Sequence, residues 1–404
     1  MKKTFGLAAL AAVLACGGAY AQDINVKIGV LSDMSSLYAD IGGPGSVAAA
    51  KMAIADFTKD HPNVKVEMIS GDHQNKPDIG TQIANQWFDV DKVDMIIDVP
   101  NSGVALAVSQ VAANKNKVFI VSGAAASDLT GPKCNANTVH WTYDTWMLAN
   151  GTGTAMVKTG GDTWFFLTSD YAFGHALERD TMAAVEKAGG KVLGKVRHPL
   201  NTNDFSSFLL QAQSSKAKVI GLANAGGDTI NSIKQAAEFG IVKGGQKLAG
   251  LLVFASDVVA LGLPTAQGLT LTETWYWDAN DTNRAWTKRW HEAGAAASKY
   301  PTMIHAGVYA GILHYLKARL ALGPGEHDGK SVVAKMKATP TDDILFGKGT
   351  IDPNGRKRHP AYLFEVKKPT ESKHPGDFYT LKATIPEAEA FRNPKDSGCP
   401  LVQG

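Results

Sequence analysis

Short runs of β-branched and aromatic residues alternate with longer stretches of helical period along most of the chain. The runs Val26–Leu31, Val64–Ser70, Val93–Val99, Val118–Ser122, Trp164–Thr168, Lys191–Val196, Val219–Ala223 and Leu251–Ala255 predict strands. Between them, Ser46–Phe57, Ile79–Phe88, Val104–Ala113, Ala172–Ala188, Phe205–Gln213 and Thr229–Phe239 predict amphipathic helices. Strand and helix in alternation means βαβ units, an α/β fold of parallel sheets with helices on both faces. Because such crossovers are right-handed, any ligand belongs at the carboxyl ends of the strands.

Four strand–helix units precede Cys134 and at least four follow Asp162, so the chain reads as two similar lobes. Thr138–Tyr143 is a strand-like run placed to cross between them. After about residue 265 the alternation loosens. Gly268–Thr272 reads as a strand, Asn283–Ala297 and Met303–Leu322 as helices, and Tyr362–Val366 and Phe378–Ala383 as late strands. These last pieces can return to the first lobe.

The N-terminus changes the picture. Lys2-Lys3, an apolar run from Phe5 to Ala15, and Ala19-Tyr20-Ala21 predict an export leader over residues 1–21, cut before Gln22. The run is too short for a permanent membrane span. Val13-Leu14-Ala15-Cys16 offers lipoprotein anchoring through Cys16 as the lesser alternative, because Leu14 fits such a box poorly. The full chain has 41 basic and 38 acidic residues, and loss of Lys2 and Lys3 leaves 39 − 38 = +1. A near-neutral mature chain has no electrostatic footprint for nucleic acid. Export places the two remaining cysteines, Cys134 and Cys399, in an oxidising compartment. They can pair, which would pin the C-terminal tail to the first half of the chain, or remain two thiols.

Few motifs of catalysis survive inspection. Gly43-Pro44-Gly45-Ser46-Val47-Ala48 matches a dinucleotide fingerprint, but it stands about ten residues beyond its strand and reads as the start of a helix. Gly325–Ser331 ends like a phosphate-binding loop, yet proline occupies position 324 and no strand precedes it. There is no Gly-x-Ser-x-Gly elbow, and His291-Glu292 lacks the second histidine of a zinc-protease helix. Nothing nominates a nucleophile, a metal or a cofactor, so the expectation is a binding protein and not an enzyme.

What remains are loops at strand ends. Asn101-Ser102-Gly103 follows Val93–Val99 and opens a helix, and Ser122–Ser127 follows the next strand. Two neighbouring loops of this kind present backbone N–H groups able to hold a carboxylate without lysine or arginine, or they merely cap helices. In the second half, Asp170–Gly174 follows Trp164–Thr168, and Asn224–Thr229 follows Val219–Ala223. Asp228 can pair with a ligand cation or cap its helix. The aromatic cluster Trp275-Tyr276-Trp277 reads as a pocket wall or as packing between lobes.

Together with the leader, Ile28-Gly29-Val30-Leu31, Met34-Ser35, Val121–Ala125, Phe173-Gly174 and Gly227-Asp228 stand in the order of one family. The chain resembles periplasmic solute-binding proteins of ABC importers, of the leucine/isoleucine/valine-binding type. The resemblance implies two Rossmann-like lobes with parallel-dominated sheets, joined by three crossovers and closing on ligand like a clamshell. It implies a first lobe of residues 22–142 plus about 265–340, and a second of 143–264 plus about 341–404. In amino-acid binders of this kind the first lobe takes the carboxylate and the second the ammonium. Carried over, Asn101, Ser102, Ala124 and Ala126 fall in the carboxylate loops with Ser122, Phe173 in the pocket wall, and Asp228 at the ammonium partner. Asn101 and Ala126 replace the serine and threonine usual in amino-acid binders, and Asp228 is shorter than the usual glutamate. With Tyr38, Tyr171 and Trp275, these departures suit a larger or aromatic acid. The implied function is a monomeric periplasmic protein that captures a branched-chain amino acid or related small carboxylate and delivers it to membrane permease and ATPase subunits. An aromatic carboxylate or amide as cargo, or a ligand-sensing role, are the alternatives.

Overall fold

The computed structural model describes residues 22–296 and 299–402. The expected leader and Cys16 lie outside them. Strands β1 (Ile24–Ser32), β2 (Val64–Asp72), β3 (Met95–Asp98), β4 (Val118–Val121) and β5 (Thr138–His140) form one wholly parallel sheet in the order β2-β1-β3-β4-β5. The central strands β3 and β4 are buried along their whole length, as their unbroken apolar sequence requires for a sheet covered on both faces.

The second sheet contains β6 (Thr163–Ser169), β7 (Lys191–His198), β8 (Val219–Ala223), β9 (Lys247–Gly250) and β10 (Thr270–Glu273). Beyond a short hairpin of β11 (Thr341–Asp343) and β12 (Gly347–Gly349), it is completed by β13 (Ala361–Val366) and β14 (Tyr379–Ile385). Its order is β14-β13-β10-β9-β8-β6-β7, parallel except where β13 pairs antiparallel with β10 and β14. The fold is therefore α/β with two lobes and parallel-dominated sheets, as expected.

Three segments cross between the lobes: β5 to β6, β10 to the helix Asp281–Glu292, and the helix Gly329–Ala338 to β13. The helix Met303–Leu322 lies against Gly43–Asp60 on the first sheet. It approaches so closely that a Cβ on Gly307 would stand 2.2 Å from the Thr142 methyl. The tail makes a further return, because Cys399 is disulfide-bonded to Cys134 with a Cα separation of 5.6 Å.

Several expected boundaries move. Leu251–Ala255 is not a strand. The strand is β9, one step earlier, and Leu251–Phe254 form a buried loop before the helix Ala255–Leu261. Its apolar run signals burial, which a loop packed between lobes meets as well as a strand does. Thr138–His140 is not merely a crossing segment, since it adds the fifth strand to the first sheet. The first-lobe return does not begin near residue 265, because β10 pairs with β9 and β13 in the second sheet. The tail beyond β14, expected with the second lobe, is held to the first by its disulfide.

Two buried charge clusters hold the crossing region. The Arg356 guanidinium donates to the carbonyl oxygens of Thr142 (2.9 Å), Tyr143 (3.3 Å) and Lys357 (3.0 Å), and pairs with Asp144 at 3.5 Å. Asp180, from the second-lobe helix Ala172–Lys187, accepts from Ser127 Oγ and Thr145 Oγ1 (each 2.6 Å) and from Arg179 and Arg392. Removing one partner from such a cluster leaves an uncompensated buried charge, so it fixes how the segments meet.

Candidate functional site

Between the lobes, at the carboxyl ends of both sets of strands, lies a narrow crevice with about 10 Å³ of free volume. That is far below the roughly 300–1,000 Å³ of ordinary ligand pockets, so the lobes meet here with the cleft shut and must part to admit a ligand. Tyr38, Ile41, Pro100, Gly123, Ala125 and Tyr143 line it from the first lobe and crossing strand, and Tyr171, Phe173, Ala225 and Leu252 from the second. None of these is a lysine or arginine.

The lips meet directly. Tyr38 and Tyr171 place their hydroxyls 2.6 Å apart across the cleft. Burial pushes the pKa of both phenols up, and Asp228 nearby adds to the effect. A Cβ on Gly226 would lie 2.8 Å from the Leu37 carbonyl oxygen, and one on Gly227 2.8 Å from Leu37 Cδ1. Gly226 has φ +57°, a conformation that glycine adopts without strain. The Tyr38 lip is itself tied down, because Asp33 accepts from the Tyr38 N–H (2.7 Å) and Asn75 Nδ2 (2.6 Å).

The expected first-lobe loops are neighbours, and their internal bonds decide which donors stay free. Asn101 caps the helix Ser102–Asn114 by accepting from Val104 N at 3.1 Å. Ser102 Oγ accepts from the N–H groups of Ala125 (3.2 Å) and Ala126 (3.1 Å), so it stitches the two loops together. Ala124 lends its carbonyl to His140 Nε2, and Ser122 Oγ donates to Asp98. Among the described residues, the N–H groups of Ser102, Gly103 and Ala124 make no hydrogen bond. A helix N-terminus with open donors favours an anion. The Ala126 N–H, expected to face ligand, is instead occupied by Ser102.

In the second lobe, Asp228 accepts from the backbone N–H of Asn201 (3.1 Å) and Thr202 (2.8 Å). It is buried, does not line the void, and desolvation raises its pKa to about 6. These bonds pin the loop after β7 to the helix Gly227–Glu238. Trp275, expected in the pocket wall, lies elsewhere than the void. It is buried against Trp286, with ring centroids 5.5 Å apart, and does not reach the void. An aromatic after a strand end carries no sign of which neighbour it meets, and here the returning helix Asp281–Glu292 covers it.

Tyr143 and Leu252 line the void without having been expected there. Tyr143 donates to the Gly123 carbonyl oxygen at 2.5 Å while its ring walls the void. The strand-like run Thr138–Tyr143 carried the signal, but its reading as a crossing hid that it ends at the cleft. An open apolar groove between Val242, Leu248, Pro264 and Leu363 is larger, but it lies at the starting ends of β9 and β10, away from every expected site residue.

A cleft between two parallel α/β lobes, with strand ends of both facing it, narrows the comparison. The family model described as periplasmic binding protein matches residues 25–373. The chain belongs to the periplasmic binding protein family. This periplasmic binding protein is 50% identical to one of that description from Burkholderia mallei, with TM-score 0.90 over 94% of this chain and 99% of the other. It is 38% identical, with TM-score 0.81 over 93% and 99%, to a branched-chain amino acid ABC transporter periplasmic ligand-binding protein from Burkholderia xenovorans. A Leu/Ile/Val-binding protein homolog from Brucella melitensis is 27% identical over 98% of this chain and 99% of the relative. The fold is also shared, at 24% identity and TM-score 0.81 over 90% and 97%, by a solute-binding protein from R. palustris in complex with 4-hydroxybenzoate. Among the described residues, no helix of this periplasmic binding protein is long and apolar enough to cross a membrane.

Proposed function

We propose that this protein is the periplasmic substrate-binding component of an ABC importer and that its cargo is a compact aromatic carboxylate. The observation that carries this reading is the void's aromatic wall of Tyr38, Tyr143, Tyr171 and Phe173, drawn from both lobes and including no lysine or arginine. Flat rings pack well between such walls. The open N–H groups of Ser102, Gly103 and Ala124 then take the carboxylate, and no cation is needed. Ligand bridging both lobes stabilises the closed state by its differential affinity, and the permease and ATPase subunits receive it unchanged from a monomeric carrier.

A branched-chain amino acid is the second reading, favoured by the descriptions of the relatives from Burkholderia xenovorans and Brucella melitensis. It requires Asp228 to serve a ligand ammonium while it holds two backbone donors. The test is a thermal-shift and calorimetric panel on ligand-stripped mature protein, with benzoate- and cinnamate-type acids, leucine, isoleucine, valine and small amides. A ligand that binds only the folded state raises its melting temperature. Shifts with aromatic acids and none with leucine are expected. Shifts with leucine, isoleucine or valine alone would overturn the aromatic reading.

A further inference from the structure

Asp98 ends β3 directly beneath the two first-lobe loops, and it is wholly buried. Its oxygens take only neutral donors: Ser32 Oγ at 2.8 Å on one side and Ser122 Oγ at 3.1 Å on the other. No lysine, arginine or histidine forms an ion pair with it among the described residues. Ser32 Oγ also accepts from Gly43 N at 2.9 Å, so one carboxylate gathers the ends of β1, β3 and β4 and the start of the first helix. Its own backbone is strained. Asp98 has φ +91° and the β-branched Val99 has φ +55°, two successive residues in a region that costs L-residues of order 1–3 kcal/mol each.

A buried carboxylate without a cation and a strained β-branched residue are both expensive. Their consequence lies immediately downstream. The turn at Asp98–Val99 aims Pro100 at the void and starts the helix at Ser102, and the Asp98 carbonyl accepts from Gly123 N at 3.4 Å. A Cβ on Gly123 would stand 2.9 Å from Asp98 Oδ1, so the second loop rests on this carboxylate.

We infer that Asp98 is a positioning residue that holds the Asn101–Gly103 and Gly123–Ala126 loops in the register at which their open N–H groups read a ligand carboxylate. This rests on the carboxylate reading above. Asp98 touches no ligand. It acts through Ser122 and the backbone of both loops, and a carboxamide, which offers one oxygen and no charge, depends on that register far less than a carboxylate.

The test is calorimetric titration of the wild type, Asp98→Ala, Asp98→Asn and Ser122→Ala with benzoate and with benzamide. The expected result is a wild-type preference for benzoate that falls at least tenfold in Asp98→Ala, with benzamide affinity held within threefold. Asp98→Asn, which keeps an acceptor and the side-chain shape, restores the preference to within about threefold. A preference unchanged in Asp98→Ala overturns the role of Asp98. Should that variant fail to fold, Ser122→Ala carries the test, and an unchanged preference there overturns the role equally. A wild type that binds benzoate no better than benzamide overturns the carboxylate reading, and the assigned role with it.

Discussion

Replacing Gly227 with valine tests whether the two lips must touch for ligand to be held. The Cβ of residue 227 would stand 2.8 Å from Leu37 Cδ1, against an ordinary contact of 3.4 Å or more, so it intrudes by at least 3.4 − 2.8 = 0.6 Å. The two γ-methyls of valine extend the clash. Position 227 opens the helix Gly227–Glu238, so valine costs little locally, and Leu37 packs on the first-lobe side of the cleft. The open form therefore relieves the overlap entirely, whereas in the closed form the half-buried Leu37 side chain must shift aside, which leaves the lower end of an overpacking cost, about 1 kcal/mol. Since every 1.4 kcal/mol is tenfold, ligand affinity is expected to fall about fivefold. Calorimetric titration measures the affinity, and small-angle scattering of the liganded protein measures closure. Leu37→Ala in the same chain removes the obstructing methyl and is expected to restore most of the loss. An affinity unchanged in Gly227→Val, or a loss that Leu37→Ala leaves untouched, would refute the steric account of closure.

Three further outcomes follow from the geometry. Tyr38→Phe and Tyr171→Phe should each weaken ligand binding by about 1–3 kcal/mol, because each strands a buried hydroxyl, and the pair should cost less than the sum. Additive losses in the double-mutant cycle would exclude a working bond between the lips. Removing the Cys134–Cys399 bridge with serines opens a closure across a sequence separation of 265 residues and should cost about 2–4 kcal/mol in urea unfolding. A change below about 1 kcal/mol would show that the tail holds without it. Burial lowers the His314 pKa from its ordinary 6.5 to about 4, so the unfolded chain takes up the proton first as pH falls. The stability that neutral His314 contributes is complete above pH 6.5 and lost towards pH 4, a swing on the order of 3 kcal/mol. His314→Gln keeps a donor for the Met336 carbonyl and should gain on the wild type by that amount between pH 7 and 4, whereas a constant difference would refute it.

The alternation of apolar runs with helical stretches determined the α/β class, the strand ends that face the cleft, and the neighbouring loops after β3 and β4. Period and punctuation are local properties, and covalent order places each loop at its strand's end. The even pair of cysteines limited the bridge to one partner each, although only the fold could bring residues 134 and 399 within reach. Apolar character alone misassigned Leu251–Ala255, since burial between lobes and burial in a sheet demand the same residue types. Tyr143 lines the void and Trp275 does not for a related reason: which aromatic walls the void depends on the returning helix Asp281–Glu292 and on where the crossing strand ends, not on either side chain. The Tyr38–Tyr171 bond joins residues 133 positions apart, and the Ser32–Asp98–Ser122 clamp joins three strands. Such contacts arise only when parallel strands line up their carboxyl ends and two lobes close, because hydrogen bonds and van der Waals contacts act over a few ångströms, however far apart the partners lie along the chain.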